Sequence, residues 1–293
     1  MSRGVDDSLW MHFVPLWTDL KAVAPGLLLA GGYGLFLKQS WLADQKDIPT
    51  VVAIDRWGSN RPRVTKDFDF ITSLDLIASA DEQQRLHEVL EKHSFQVVPE
   101  NARWQFQKNV GEDRVVLLDF HAAPPVAHRS DLRVDKRRIK PRKSLGKMGI
   151  HAHGNPETCG SERHPFFFSY QGLEIAQPNP VTLVVMKLVA MRDRWLVSQD
   201  ESKSAAERAN GAREAWKHAA DVWRTVAMVT RGERDSARDV IEGIRNAQAF
   251  NDARNSFAEY FVPSDAWGLQ AVSAVWQEED RRLIQSILAE WLR

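Results

Sequence analysis

Short apolar runs alternate with turns and with segments of helical spacing in the first third of the chain. Apolar positions recur at helical spacing over residues 8–23 and 81–93, which predicts two helices. Gly31 and Gly32 predict a turn that leads into a third helix over Tyr33–Trp41. The remaining apolar runs predict strands suited to a sheet, at residues 27–30, 51–54, 67–73, 95–98, 104–107 and 115–120.

The pattern changes near Pro180, after the strand-like aromatic segment HPFFFSYQGLEIA. From there it predicts a helix starting after Pro180, a second over Ala215–Val229, and two or three more within 235–292. The order of elements predicts an α+β protein in which an N-terminal mixed sheet with helices precedes a C-terminal helical bundle. The expected domains are an α/β core over 1–128, a basic linker and strand segment over 129–179, and a helical domain over 180–293.

Composition excludes several classes of protein. No apolar stretch of the 293 residues reaches the roughly 20 needed to span a bilayer. Asp6 and Asp7 stand where a secretory signal would carry positive charge. The single cysteine, Cys159, cannot form an intrachain disulfide, and a catalytic thiol is not favoured. We therefore expect a soluble cytoplasmic protein with no membrane partner.

The overall charge balance hides one basic segment. Lys plus Arg equals Asp plus Glu at 39 each, but residues 129–147 hold nine basic residues against Asp131 and Asp135, a local charge of +7. Such a segment can bind a polyanion such as RNA, and a solvated loop without a ligand is the alternative interpretation.

Two carboxylates stand two positions apart in Asp67-Phe68-Asp69. If residues 67–73 form a strand, the period of two aims both side chains at the same face, where they repel each other unless a cation lies between them. Mg²⁺ or Mn²⁺ is the natural cation, because hard cations take carboxylate oxygens. A pair of surface or helix-capping carboxylates is the alternative.

Asp119 follows the apolar run Val115–Leu118 and is costly to bury without a partner. If its strand pairs beside 67–73, Asp119 completes a site of three carboxylates, an arrangement that can hold two metal ions; an acid at an exposed strand end is the alternative. Gly31 and Gly32, between a strand and a helix, let backbone N–H groups approach phosphate oxygens. An ordinary tight turn would explain the glycines equally well.

In the order and spacing of these glycines and carboxylates, the chain resembles the nucleotidyltransferases of the polymerase-β-like superfamily, and in particular the AbiEii-type toxins of bacterial toxin–antitoxin systems. Gly32 stands where the wider superfamily usually has serine, and the longer gap between Gly32 and Asp67 implies an inserted hairpin or loop around 46–62. The similar segments are spread over residues 27–223: LLLAGGYGLFLK (27–38), RVTKDFDF (63–70), VVLLDFHA (115–122), VVMKLVAMRDRW (184–195) and KHAADVW (217–223).

The resemblance implies a role for each matching residue. Gly31 and Gly32 would contact nucleotide phosphates, while Asp67, Asp69 and Asp119 would hold the metals and act in catalysis. Lys187, with Arg63, would bind the triphosphate, and Asp221 would complete a later acidic position. Lys187 also lies in an otherwise apolar helix face and needs an anion; a structural salt bridge would satisfy it, and Asp221 could instead pair with Lys217.

These observations lead to an expected function, a metal-dependent nucleotidyltransferase. It would move an NMP from an NTP to a hydroxyl of RNA, such as tRNA, or of a protein, and could be a toxin with a separately encoded antitoxin as partner. A non-catalytic module of the same fold that binds RNA or a regulatory protein is the main alternative, and a metal-dependent phosphohydrolase is another. A zinc site from His151, His153, Cys159 and His164 is not favoured, because the chain has no C-x-x-C or H-E-x-x-H motif.

Overall fold

The computed structural model describes residues 9–45, 47–57, 67–101, 103–111, 114–273 and 275–293. Within these ranges it contains ten α-helices and ten strands, which confirms the α+β class. The helices are α1 Trp10–Val23, α2 Gly31–Asp44, α3 Leu74–Ala78, α4 Ala80–Lys92, α5 Pro180–Gln199, α6 Ala205–Ala227, α7 Arg231–Ile244, α8 Gln248–Phe261, α9 Trp267–Ser273 and α10 Glu278–Trp291. The strands are β1 Leu28–Leu29, β2 Asp67–Ile71, β3 Gln96–Val97, β4 Gln105–Gly111, β5 Arg114–Ala122, β6 Leu132–Asp135, β7 Arg138–Pro141, β8 Ala152–Gly154, β9 Phe166–Tyr170 and β10 Leu173–Gln177.

The chain divides into two compact units that alternate along the sequence. The sheet unit comprises 1–37, 63–156 and 167–177, and the helical unit comprises 38–62, 157–166 and 178–293. This division differs from the three predicted domains in two ways. The basic segment 129–147 belongs to the sheet unit, and two short segments from the first part of the chain and from the linker belong to the helical unit.

One mixed sheet of eight strands organises the sheet unit. Its main path runs β1-β2-β5-β8-β7-β6, and β4 adds to β5 and carries β3. The β2–β5 and β5–β8 pairs are parallel, whereas the other pairs in this sheet are antiparallel. The predicted strands at 27–30, 67–73, 95–98, 104–107 and 115–120 all fall in this sheet, and β9 pairs with β10 in a separate hairpin.

The two faces of this sheet differ sharply in polarity. One face is apolar and buried, and it includes Phe68, Phe70, Phe106, Leu118, Phe120, Ile139 and Ala152. Helix α1 packs on it, with the Phe13 ring 5.4 Å from Phe68. Strand registers place the alternating residues on the opposite face, which we call the polar face: Asp67, Asp69, Gln105, Asp119, His121, Arg133, Asp135, Arg138, Lys140 and His153. Burial of one face thereby fixes which side chains line the other.

Several local predictions are wrong. Residues 51–54 do not form a strand: Val51 and Val52 donate backbone hydrogen bonds to the carbonyls of Val229 and Ala227, and a 3₁₀ turn begins at Ile54. Gly31 and Gly32 are the first residues of α2 rather than a separate turn. Four helices, not two or three, follow α6 in the described part of the chain. The expected insertion around 46–62 falls partly outside the described residues, which there cover 47–57.

The helical unit is organised around α5 and α6. Helix α5 begins with an Asn179 cap, whose side chain accepts from the Thr182 N–H, and Pro180 takes the first helical position. Helices α6 and α7 each begin with a reciprocal capping box, Ser204 with Glu207 and Thr230 with Glu233. No helix among the residues described is long and apolar enough to cross a membrane.

A buried ion pair joins α7 to the part of α2 that belongs to the helical unit. Lys38 Nζ donates to Glu233 Oε1, and both side chains are almost fully buried. Burial lowers the pKa of Lys38, and the adjacent carboxylate opposes that effect. Glu233 therefore has two tasks, because its Oε2 also accepts hydrogen bonds from Thr230.

We expect Glu233→Gln to lower the free energy of unfolding by about 3–5 kcal/mol, because it leaves the Lys38 ammonium buried without a negative partner. Urea titration followed by tryptophan fluorescence measures this. Glu207→Gln is the matched control, since Glu207 occupies the same capping position in an exposed box, and its expected cost is about 1 kcal/mol or less. Equal losses in both variants would contradict a stabilising role for the Lys38–Glu233 pair.

Candidate metal centre

The parallel pairing of β2 with β5 brings two carboxylates side by side. Asp69 is the register partner of Asp119, as the sequence predicted for neighbouring strands, and His121 follows two residues later on the same face. Ligand atoms of these three residues all lie within 4.8 Å of one another. Among the described residues, this is the only group of three or more carboxylates, imidazoles or thiolates that lie close enough together to hold a metal ion.

The negative charge of Asp119 is poorly compensated by its neighbours in this arrangement. Its Oδ1 is buried and makes no hydrogen bond with any described residue. Burial and the neighbouring charge of Asp69 raise the pKa of Asp119 to about 6, against partial opposition from His121 and Gln105. A buried carboxylate oxygen without a donor, next to a second carboxylate, is the environment in which a cation gives the largest gain.

His121 completes the group, although sequence reasoning did not select it. Its Nε2 lies 3.3 Å from Asp69 Oδ1, and Asn155 Nδ2 lies 2.8 Å from its Nδ1. With the amide in this orientation Nδ1 accepts, so Nε2 carries the proton and donates to Asp69. His153, the register partner of His121, also hydrogen-bonds Asn155. The spacing Asp119-x-His121 on a strand was the available indication, because period two places both on one face.

Asp67 stands apart from this group. It occupies the first position of β2, on the polar face and half-buried, with Leu117 as its register partner. Its ligand atoms are not among those that lie within 4.8 Å of one another. Its negative charge nevertheless contributes to the raised pKa of Asp119. Asp67 is therefore close enough to affect the site electrostatically without belonging to its tightest cluster.

The N-terminus of α2 lies against Asp69. Ala30 N donates to the Asp69 carbonyl at 2.8 Å, and Gly31 begins the helix with φ +67°. A Cβ at Gly31 would overlap Oδ2 of Asp69, so glycine is required both for the backbone angle and for the close approach. The first turn of α2, which includes Gly32, carries no acidic residue. The N–H groups at a helix N-terminus favour an anion, and here this end of the helix lies beside the carboxylates.

Lys187 and Asp221 pair with each other in the helical unit. Lys187 Nζ lies 2.9 Å from Asp221 Oδ2, and Arg224 reaches the other carboxylate oxygen at 3.0 Å. Burial alone would raise the pKa of Asp221, but Lys187 and Arg224 hold it below the ordinary value. Lys217 pairs with Glu214 instead of Asp221. Lys187 therefore has a carboxylate partner, which agrees with the alternative interpretation of a structural salt bridge.

Other candidate residues lie elsewhere. Arg63, expected to assist phosphate binding, lies outside the described residues. Burial raises the pKa of the Cys159 thiol to about 11, which keeps it protonated at neutral pH. His164 pairs with Asp239 at 2.7 Å. Among the described residues, those of the disfavoured zinc set are not brought together as metal ligands.

The donors present fit a hard divalent cation. Two carboxylates provide oxygen ligands, and the partnerless Oδ1 of Asp119 provides a buried one. His121 offers its Nε2 lone pair only if the Asn155 amide rotates, so in the observed arrangement it positions Asp69. Asp69 and Asp119 are consequently the primary ligands that the structure offers.

Comparisons with the models of known protein families, with curated proteins and with solved structures found no match for this chain.

We expect Gly31→Ala to damage the site directly, because the new methyl group displaces the Asp69 carboxylate and the positive φ adds roughly 1–2 kcal/mol. Differential scanning fluorimetry with EDTA and with Mn²⁺ measures both effects. The variant should have a lower melting temperature than the wild type, and it should lose the rise in melting temperature that we expect Mn²⁺ to give the wild type. Gly26→Ala is the control, since no atom lies within 4 Å of the Cβ that this substitution adds and the φ of Gly26 is not positive. A Mn²⁺ response retained in Gly31→Ala would contradict the assigned contact.

Asp119→Asn should stabilise the protein in EDTA while abolishing its response to Mn²⁺. The folded-state pKa of about 6 lies above the ordinary 3.8, so ionisation of Asp119 disfavours folding increasingly as pH rises through that interval. The gain at pH 7.5 should be about 1–3 kcal/mol and should vanish near pH 4. Thermal unfolding at both pH values tests this. Destabilisation at pH 7.5 would show that the charge of Asp119 is compensated without a cation.

Proposed function

We propose that this chain is a divalent-metal-dependent nucleotidyltransferase that moves an NMP from an NTP to a hydroxyl acceptor. The observation that carries the proposal is the juxtaposition of Asp69 and Asp119, in register on neighbouring parallel strands, with the N-terminus of α2 against Asp69. Carboxylates that bind a cation and helix N–H groups that bind phosphate are the two requirements of phosphoryl-group chemistry. The resemblance at residues 27–38, 63–70 and 115–122 supports the same assignment.

In this mechanism each part of the site has a separate task. Asp69 and Asp119, with Asp67 nearby, would hold Mg²⁺ or Mn²⁺, which supplies Lewis-acid stabilisation of phosphate charge when bound. The N–H groups of Gly32 and its neighbours bind phosphate oxygens of the NTP. Asp119 would accept the proton of the attacking hydroxyl, whose oxygen bonds to the α-phosphorus of the NTP while the bond to pyrophosphate breaks and pyrophosphate leaves. His121 keeps Asp69 in place through its Nε2–H.

The acceptor and the partners follow from charge and from the resemblance. The basic segment 129–147 favours an RNA acceptor, such as tRNA, over an acidic protein. The resemblance to AbiEii-type toxins extends the proposal to a toxin that a separately encoded antitoxin neutralises. Lys187 would then bind the triphosphate, and to do so it would exchange Asp221 for a phosphate oxygen.

The Lys187–Asp221 pair also favours a second candidate, a non-catalytic module of the same fold. Both side chains are about nine-tenths buried, and Asp221 holds Lys187 at 2.9 Å. A lysine already neutralised in this way has less to gain from a phosphate. In that case the sheet unit would serve to bind RNA or a regulatory protein without transferring a nucleotide.

A labelling assay distinguishes the two functions. Purified protein is incubated with each α-³²P-labelled NTP, Mg²⁺ or Mn²⁺ and total cell RNA, alongside an Asp69→Asn/Asp119→Asn variant. We expect label on RNA with the wild type and a loss of roughly 10³-fold or more in the variant, because the groups that stabilise phosphate charge are removed.

The matched control is Asp75→Asn, which removes an exposed carboxylate of the same unit that contacts Arg129. It should transfer label like the wild type. Label on the protein instead of RNA would identify a protein acceptor. Transfer retained by the Asp69/Asp119 variant, or no label with any nucleotide from a folded protein, would overturn the enzymatic proposal in favour of the binding module.

A further inference from the structure

A basic pocket lies at the other end of the polar face. It has a volume of about 520 Å³, and six side chains that are cationic or can become so line it: Arg103, Arg133, Lys140, Arg142, Lys147 and His151. Among the residues that the structure describes, no acidic side chain lines the pocket. Lys140 shares Asp135 with Arg138, whereas Arg142 and Lys147 form no salt bridge with any carboxylate the structure describes. The pocket therefore has uncompensated positive charge that favours an anion.

The walls of the pocket are held in place by specific contacts. Arg103 adopts φ +66°, uncommon for a residue with a side chain, and its guanidinium donates to the Gly146 carbonyl across the pocket. His151 N donates to the Arg103 carbonyl at 3.1 Å. Gln83 of α4 is fully buried and accepts from Ile150 N at 2.9 Å. The basic loop is thus anchored to the sheet unit at both sides, which a merely solvated charged loop does not require.

The position of the pocket relative to the carboxylates follows from strand order. From β5, which carries Asp119, the path β5-β8-β7-β6 leads to Arg133 in three strand spacings, or about 14 Å. Registers keep Asp119, His153, Lys140 and Arg133 on the same polar face. This face therefore changes from acidic to basic over a distance that a polynucleotide spans and a single phosphate does not.

We propose that this pocket binds the phosphodiester backbone of a single-stranded RNA segment, which it holds on the polar face beside the metal centre. The inference rests on the proposed function for the identity of the acceptor but not for the binding itself. Arg142 and Lys147 make the phosphate contacts, and Arg103 and Arg133 add positive electrostatic potential. The face between the pocket and Asp119 receives the nucleotides that lead to the reacting hydroxyl.

Fluorescence anisotropy with a short labelled single-stranded RNA, in EDTA and without NTP, tests the pocket independently of catalysis. Arg142→Gln/Lys147→Gln should weaken binding roughly tenfold and lower the slope of log K against log salt by about 1.4, at about 0.7 per lost phosphate contact. Lys136→Gln/Lys143→Gln is the matched control: it removes two exposed positive charges from the same segment outside the pocket lining. It should change affinity less than about threefold.

Other outcomes would overturn the proposal. Equal losses of RNA affinity in the two double variants would show that the RNA is attracted to the whole basic segment and not to the pocket. Complete displacement of the RNA by ATP or inorganic phosphate at equal phosphate concentration would show a site for free phosphate groups. The Asp69→Asn/Asp119→Asn variant should bind RNA at least as tightly as the wild type, so a failure of nucleotide transfer and a failure of this pocket remain distinguishable. RNA binding absent from the wild type would refute the pocket assignment outright.

Discussion

The parallel pairing of β2 with β5 in one particular register is the constraint on which the candidate metal centre depends. It sets Asp69 directly beside Asp119, where like charges and burial together disfavour ionisation. The register persists because the other face of the same two strands buries Phe68, Phe70 and Phe120, and a slip by one residue would expose these rings. Apolar burial therefore holds two carboxylates in a position they would not adopt alone. That conflict between packing and charge is typical of sites that bind a cation.

Gly31 adds the second requirement of such a site. Because Gly31 has no side chain, the first turn of α2 can contact the Asp69 carboxylate, and N–H groups of the helix come next to carboxylate oxygens. His121, itself held by Asn155, fixes the orientation of Asp69. Under the proposed function the carboxylates would bind a metal ion and the helix N-terminus would bind phosphate, so together they would bind a metal–nucleotide complex better than either part alone.

Sequence patterns could predict the elements of the site but not all of its contacts. The period of two placed Asp67 and Asp69 on one face, and the apolar run before Asp119 suggested a neighbouring strand; β2 and β5 confirm both. His121 was missed because its role depends on Asn155, which β8 brings back from over thirty residues away. Val51 and Val52 resembled a strand because they are apolar, yet their backbone partners are the Val229 and Ala227 carbonyls. Long-range pairing of this kind leaves no local pattern.

The order of charge across the polar face constrains how a polyanion can bind. Asp69 and Asp119 would repel a phosphodiester, whereas Arg142 and Lys147 would attract it, and strand β8 between the two groups carries one histidine, His153. Burial lowers the pKa of His153, so at neutral pH this strand adds little charge of either sign. An RNA bound in the basic pocket would therefore stop short of the carboxylates until a cation neutralises them. Metal binding and RNA binding along the full face would then be coupled through charge.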